Sequence, residues 1–541
     1  MQRFDHRASG TSMRPEFWLG TLLVTVGVAV HLPMYWQARL CGFRLVGMPM
    51  GWTMTLGMLA ILAGLLVSLL ALRPETPRAN AMAPASIRPM DDVALGRHHY
   101  ALLAAMAVAV TIDIMKPTAL AFVVPGMTAE YDLKSPLNPT GKMPAAYLAL
   151  AGISGTVLGS IVWGWLGDRI GRRASILFAG LNFVGTSICG VMPSYEWNLF
   201  MCAVMGLGVG GMLPIAYALL TETIPARHRG WLTVLVGADV AGAYLLTSWL
   251  SAELTPLYGW RILWLIGLPT GLAFIALNRW IPESPRYLLS QGRDEEAYRI
   301  MQRFGARVLS SSPGTTAASP PRAAERWKAL LQRPHGNTTL LASLLAVGSG
   351  VVLFGFNLWI PSNLRKLGVH DADAVLRNAA AIGLPLTFLV AWMYGFWSTR
   401  KTILVLTAVT ASALLTFAWL GDSVVAHRGL LQLLLVAPTC GVSAIVAVVS
   451  VYSAEAYPTT LRARGAGLCA AMAKAGGVCI ILFVILGLAP PAMRSIALYG
   501  AVPMTLAFLA TLWLGTETRH RSLEQIGEHE PKRPGQVASA A

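Results

Sequence analysis

Long apolar runs separated by short polar stretches fill this chain of 541 residues. Each run is roughly twenty residues long, enough for a helix rising ~1.5 Å per residue to cross a hydrocarbon core ~30 Å thick. Two runs stand near the N-terminus, at about 17–36 and 51–72. Twelve more follow, at about 100–125, 144–166, 173–193, 197–220, 231–252, 260–280, 339–363, 376–397, 401–420, 429–452, 466–488 and 492–514. Lipid offers no partner to unpaired backbone, so each run is expected to be helical. The first run is too long for the apolar core of a typical signal peptide. It leads into His31-Leu-Pro-Met-Tyr-Trp36 with no clear small-residue cleavage site, so it is read as a helix. The expected fold is an all-α polytopic membrane protein: a six-plus-six helix bundle with two extra N-terminal spans, about fourteen in total.

The polar stretches divide the chain. Residues 1–97 hold the extra hairpin and a linker in which Pro74, Pro77, Pro84 and Pro89 favour extended backbone. A first six-helix half is expected over 98–282, a cytoplasmic segment over 283–338, a second half over 339–515 and a polar tail over 516–541. Within the middle segment, 294–303 has the charge pattern of a short amphipathic helix, whereas 309–321, rich in Ser, Thr, Pro and Ala, reads as disordered.

The two halves carry matching signatures. Glu222-x-x-Pro225-x-x-x-Arg229 in the first returns as Glu455-x-x-Pro458-x-x-x-Arg462 in the second, each between two apolar runs. Pro282-Glu283-Ser284-Pro285-Arg286 likewise returns as Thr516-Glu517-Thr518-Arg519. The offset is about 233 residues in both cases, which marks two related halves and excludes a short-period solenoid. Many solute carriers are built from two such helical halves, so transport is the leading reading.

Composition changes the picture little. The chain is 55% hydrophobic and 13% charged, far from a soluble domain's balance. Its net charge of +16 would ordinarily suggest an acidic partner. With a cytoplasmic N-terminus, however, roughly thirty of the Lys and Arg residues fall inside and about ten outside, so the charge reports topology and not nucleic-acid binding. The six cysteines show neither zinc spacing nor a disulfide framework, and no cofactor or metal is expected.

Between the second and third helices of the first half stands Gly164-Trp-Leu-Gly167-Asp168-Arg169-Ile170-Gly171-Arg172-Arg173. This stretch resembles the signature loop of the major facilitator superfamily at every fixed position, and with the paired signatures the resemblance covers about 98–526. The resemblance implies that the loop latches the cytoplasmic side while the carrier faces outward. The equivalent place in the second half, Gly395-Phe-Trp-Ser-Thr399-Arg400-Lys401, keeps positive charge and lacks the acid, so an asymmetric latch is expected. The Glu/Arg signatures resemble those of the sugar porters, the metabolite and aromatic-acid:proton symporters and the synaptic-vesicle-protein-related carriers. In that group Glu222, Arg229, Glu283, Arg286, Glu455, Arg462 and Glu517 would belong to cytoplasmic gating networks; static helix-end anchoring is the alternative.

Departures bear on the substrate. In place of the sugar porters' Gln-Gln-rich stretch the chain has Phe354-Gly-Phe-Asn357-Leu-Trp359-Ile-Pro361, and Cys202 stands where those porters place an Arg ahead of Gly206-x-Gly208. The extra helix pair comes first, unlike the fourteen-helix drug exporters, which insert theirs between the halves. The run Gly206-Leu-Gly208-Val-Gly210-Gly211 follows an apolar helix and not a strand, so it reads as close helix packing, not a dinucleotide fingerprint.

Ionisable residues inside spans are costly and mark pathways or pairs. Asp113 and Lys116 lie three apart, on one helical face, beside Pro117. They read either as a mutual ion pair or as a proton-carrying carboxylate tuned by a substrate-binding lysine. Asp239 and Lys474 occupy nearly equivalent depths in the two halves with opposite charge; the alternative for each is snorkelling to the membrane edge. Asn357 and Trp359, with Asn182 and Tyr217, offer hydrogen bonds and an aromatic wall, although such residues are more often packing.

The expected function is secondary transport of a small organic anion together with protons, by alternating access, in a bacterial inner membrane with both termini cytoplasmic. Asp113 and Asp239 would carry protons, while Lys116 and Lys474 would draw the substrate. A sugar or polyol porter, a drug-like efflux carrier and a transport-inactive metabolite sensor are the rivals. An enzyme is the weakest option, since no metal cluster, nucleophile elbow or P-loop occurs. For the extra hairpin, docking of a partner protein, oligomer contact and padding of the bundle all stay open.

Overall fold

The computed structural model describes residues 14–73, 90, 93–306, 330–332, 335–457, 462–487 and 493–517. In chain order its helices begin with α1 (Pro15–Ala29), α2 (Leu32–Gln37), α3 (Trp52–Ala71), α4 (Arg97–Tyr131), α5 (Ala146–Ile170), α6 (Arg172–Gly185) and α7 (Tyr195–Thr223). Next come α8 (Ala226–Ala238), α9 (Val240–Tyr258), α10 (Ile262–Leu265), α11 (Gly267–Ala276), α12 (Pro285–Ser290) and α13 (Asp294–Arg303). The remainder are α14 (Gly336–Val351), α15 (Asn357–Lys366), α16 (Ala372–Trp392), α17 (Thr399–Leu420), α18 (Arg428–Val436), α19 (Val442–Glu455), α20 (Arg462–Ile485) and α21 (Met493–Leu514). A two-residue ladder of β1 (Leu133–Lys134) with β2 (Met143–Pro144) completes the regular structure. Thirteen helical stretches among the described residues are long and apolar enough to cross a membrane, and α5 adds the shorter apolar stretch Ala146–Ser160.

The chain forms two compact units. One comprises Met1–Leu133, Ala151–Arg229 and Leu250–Pro313, the other Lys134–Leu150, Gly230–Trp249 and Gly314–Ala541.

Several apolar runs that read as single helices are broken, among them the first run and the run at 231–252. The first stops at Ala29 and resumes as α2, because Pro33 has no N–H to bond the Ala29 carbonyl. The run at 231–252 breaks at Asp239, whose N–H bonds Val236 O at 3.3 Å, a tightened turn that separates α8 from α9. The amphipathic segment 294–303 forms α13 at the expected place, burying Ala297 and Met301. Phe304, just beyond it, meets the ring of His99 on α4 edge-on at 4.9 Å. The segment 309–321 lies outside the described residues, as does most of the linker at 74–92.

In the first unit the extra hairpin packs α1 along α3 through a seam of small residues. Gly27 faces Gly57 and Gly20 faces Gly64, and a Cβ at Gly57 would stand 2.6 Å from the His31 ring. His31 Nδ1 bonds Gly27 O at 2.7 Å and fixes the end of the seam. Such close backbone approach is how helices associate where apolar burial gives no drive. The hairpin rests on α6, where Gly185 meets Val24 and Ile61. Its opposite faces expose Leu19, Leu22, Leu59, Leu62 and Leu66, as lipid contact requires. Gly206 and Gly210 of α7 lie against the backbone of α5 at Gly152 and Thr156, the close packing expected of that glycine run.

Candidate functional site

The first unit holds the buried charges of α4. Pro117 cannot donate to the Asp113 carbonyl, which loosens the helix where both charges sit. Asp113 is 7% exposed and Lys116 2%. They form no mutual ion pair. Lys116 Nζ donates instead to Phe183 O at 2.5 Å and to Thr186 Oγ1 at 2.6 Å, and it lies 4.3 Å from the Phe183 ring centroid. Asp113 Oδ2 is buried with no hydrogen-bond partner among the described residues. A narrow crevice, too tight in this conformation to hold a water molecule, runs beside the pair, lined by Asp113, Lys116, Phe183, Thr186, Met205 and Gly208. An adjoining crevice, with room for about one water at most, brings in Ile112, Met212 and Phe274. An unsatisfied buried carboxyl oxygen can hold a proton, and the ammonium beside it can meet a small anion where the closed crevice opens.

The Glu283 end of the same unit carries the signature residues. Gly164 to Ile170 end α5, and Arg172 begins α6. Gly171 between them has φ 99°, the backbone that glycine alone adopts easily, and it leaves room for the Glu283 carboxylate. Glu283 Oε1 accepts from Arg172 N at 2.7 Å, from Arg173 N at 3.3 Å and from Ser284 N at 2.9 Å. It therefore caps α6, where the helix dipole favours a carboxylate. Burial pushes its carboxyl above the ordinary glutamate range, against the pull of those N–H donors and the Arg173 guanidinium. Glu222 accepts from the Ser284 hydroxyl and pairs with Arg172 Nη2 at 3.9 Å. Tyr287 OH donates to Arg169 O at 2.9 Å. The side chains of Asp168, Arg229, Arg286, Glu455 and Arg462 lie outside the described part of the structure.

The second unit repeats the cap. Glu517 Oε1 accepts from Thr399 N at 2.9 Å, and its other oxygen accepts from the Ser398 hydroxyl, at the start of α17. Asn357 follows a π-helical segment, Val352–Phe356, and its Nδ2 donates at 2.7 Å to Pro438 O within a second π-helical segment, Ala437–Gly441. Such segments leave carbonyls off the regular ladder and often mark functional sites. Asn357 Oδ1 and Trp359 Nε1 are buried without hydrogen-bond partners among the described residues. Asp239 at the α8–α9 break and Lys474 in α20 both belong to this unit and are partly exposed.

Sequence reading missed a cluster at the opposite end of α6 and α7 from Glu283. Glu130 Oε1 meets Arg261 Nη2 at 2.6 Å, with side chains 3% and 0% exposed. Trp260 Nε1 donates to Glu130 Oε2 at 2.9 Å, and Arg261 Nη2 to Tyr131 OH at 2.7 Å. The loop of the extra hairpin joins this cluster: Leu45 N and Val46 N donate to Glu130 Oε1 at 2.7 and 3.2 Å, and Tyr35 OH to Tyr258 O at 2.6 Å. The available signal was a charge at each of two helix ends beside aromatic residues, which reads equally well as ordinary loop charge.

Thirteen apolar spans among the described residues and the repeated helix caps define a polytopic helical membrane protein. Residues 128–529 match the family described as Sugar (and other) transporter, and the chain belongs to that family. It is a carrier of the major facilitator superfamily, a twelve-helix bundle with extra N-terminal helices. It is 26% identical over 448 residues to the niacin transporter NiaP of Acinetobacter baylyi, covering 81% of this chain and 98% of that one. It is 28% identical to the inner membrane metabolite transport protein YgcS of Escherichia coli, covering 81% and 96%. The synaptic vesicle 2-related protein of Rattus norvegicus is 25% identical, with 82% of each covered. Among solved structures the xylose transporter XylE from E. coli, partially occluded and inward open, superposes with a TM-score of 0.62 at 17% identity. That match covers 79% of this chain and all of XylE.

Proposed function

We propose that this transporter moves a small organic anion, with an aromatic monocarboxylate as the leading candidate, together with protons by alternating access. The observation that carries this reading is the buried Asp113 Oδ2 without a partner, one helical turn from an ammonium on the wall of an apolar, phenylalanine-lined crevice. Asp113 takes up and releases the proton, and Lys116 draws the carboxylate. Asp239 is a second proton site and Lys474 a second cation, while Asn357 and Trp359 contact the substrate with their unpaired buried atoms. The relative described as a niacin transporter supports a small aromatic acid, and a solved neighbour described as a proton:xylose symporter supports proton coupling.

Alternating access is carried by the halves 98–282 and 339–515, joined by the segment 283–338. The Glu283 end faces the cytoplasm with both termini, in a bacterial inner membrane. There Gly164, Asp168, Arg169, Gly171, Arg172 and Arg173 with Glu222, Arg229, Glu283 and Arg286 form one gate, and Glu455, Arg462 and Glu517 its counterpart. The family description favours a second reading, sugar or polyol transport.

The test is uptake of labelled nicotinate into proteoliposomes under an inside-alkaline pH gradient, with xylose in parallel. Accumulation that needs the gradient is expected, and Asp113→Asn and Lys474→Gln are each expected to reduce it at least tenfold, the loss of about 1.4 kcal/mol or more. Gradient-independent xylose uptake, unchanged in both variants, would overturn the reading.

A further inference from the structure

Lys116 sits in a cradle for which anion recognition gives no reason. The α-helical path of α6 ends at Gly185 and continues as the 3-10 segment Thr186–Val191. That change of pitch leaves Phe183 O able to accept from a side chain, and it aims Thr186 Oγ1 at the same point. Thr186 Oγ1 in turn donates to Asn182 O at 2.9 Å, so its lone pairs are free for the ammonium. The Phe183 ring adds a cation–π contact. Gly267 on α11 leaves the space for the lysine stem: a Cβ there would stand 2.8 Å from Lys116 Cε and 3.2 Å from Nζ. A carbonyl, a hydroxyl, a ring face and a missing side chain therefore converge on one ammonium.

Asp113 is the natural partner for that ammonium, three residues away on the same face, and the ammonium is elsewhere. A carboxylate left without a donor on a buried oxygen is far less tolerable than a carboxyl group there. We propose that the α6 cradle is the alternative seat of Lys116, occupied while Asp113 carries a proton and vacated when it gives the proton up. Thr186 is then a positioning residue for proton coupling. This rests on the reading of Asp113 as a proton site. In the step itself the Asp113 O–H bond breaks and the proton passes to water. The two Lys116 N–H bonds to Phe183 O and Thr186 Oγ1 give way to N–H bonds to the new carboxylate. The other titratable groups near the ammonium are the thiols of Cys189, on the 3-10 segment, and Cys202, on α7.

The test uses the full chain in lipid nanodiscs without substrate. The infrared C=O band of a protonated carboxyl is followed against pH and assigned to Asp113 by its loss in Asp113→Asn. Thr186→Val empties part of the cradle and frees Lys116 for Asp113, so half-loss of the band is expected about one pH unit lower, the worth of one hydrogen bond to a charge. Thr186→Ser keeps the hydroxyl and is expected to follow the wild type. Gly267→Ala attacks the cradle from α11 and is expected to shift the band in the same direction as Thr186→Val. A band unmoved in Thr186→Val or in Gly267→Ala, or moved as far in Thr186→Ser, overturns the cradle. A band that Asp113→Asn does not remove sinks the proton role of Asp113 itself, and with it the inference. Uptake of nicotinate is judged separately.

Discussion

The two ends of the first unit are made from the same parts. Each has a buried glutamate, an arginine and backbone N–H donors, yet the two are assembled to opposite effect. At the Glu130 end the ion pair is 2.6 Å long and closed to solvent, and both carboxylate oxygens are further bonded to Trp260 and to the hairpin loop. At the Glu283 end the labour is divided. Glu283 caps α6 through backbone donors, and the Arg172–Glu222 pair stands at 3.9 Å with side chains 19% and 12% exposed. Desolvated pairs resist separation because either partner left alone is stranded, whereas a looser pair that solvent reaches exchanges more readily with water. The first arrangement suits a fixed brace and the second a contact that opens and closes in a working cycle.

That contrast can be broken in order of size. Arg261→Ala leaves the Glu130 carboxylate buried without its countercharge, and a loss of about 3–5 kcal/mol is expected, read as a large drop in the thermal unfolding midpoint in detergent. Gly57→Val drives apart the seam that carries the hairpin loop to Glu130. Overpacking of this kind costs ~1–3 kcal/mol, so a smaller drop by the same measurement is expected. Arg172→Ala is expected to change stability by no more than about 1 kcal/mol while altering transport rate, and a loss as large as that of Arg261→Ala would erase the distinction.

The smallest effect is a pH dependence. Burial raises the Glu283 carboxyl in the folded protein, so its contribution to stability is complete below the ordinary glutamate value of about 4.3. That contribution is lost as pH rises through the raised folded value. Relative to Glu283→Gln, the wild type should therefore lose stability as pH climbs through that window; a difference that is flat with pH would show the carboxylate to be fully compensated by its donors.

Much of this molecule was legible in its hydropathy. The spans stand where the apolar runs stand, and α13 occupies the segment whose charge pattern called for it. The breaks at His31 and Asp239 were not seen, because a mean over twenty residues hides one proline or one tightened turn. Asp113 and Lys116 declared themselves as charges among apolar neighbours. Their separation did not, since the partner that draws Lys116 away is mainly a backbone carbonyl, Phe183 O, freed by a change in helix pitch that no residue type announces. The Glu130 cluster escaped for a related reason: its members come from three distant segments, each ordinary by itself.

The glycine seam of the hairpin also matters to how the protein is made. The hairpin leaves the ribosome ahead of the bundle helices, and α6, the helix it rests on, ends about 110 residues after α3. At the usual pace of synthesis that is an interval on the order of ten seconds. Until α6 arrives, the backbone-to-backbone closeness of α1 and α3 lets them hold together in the bilayer without it. The core helices are then delivered to a hairpin that already has its shape.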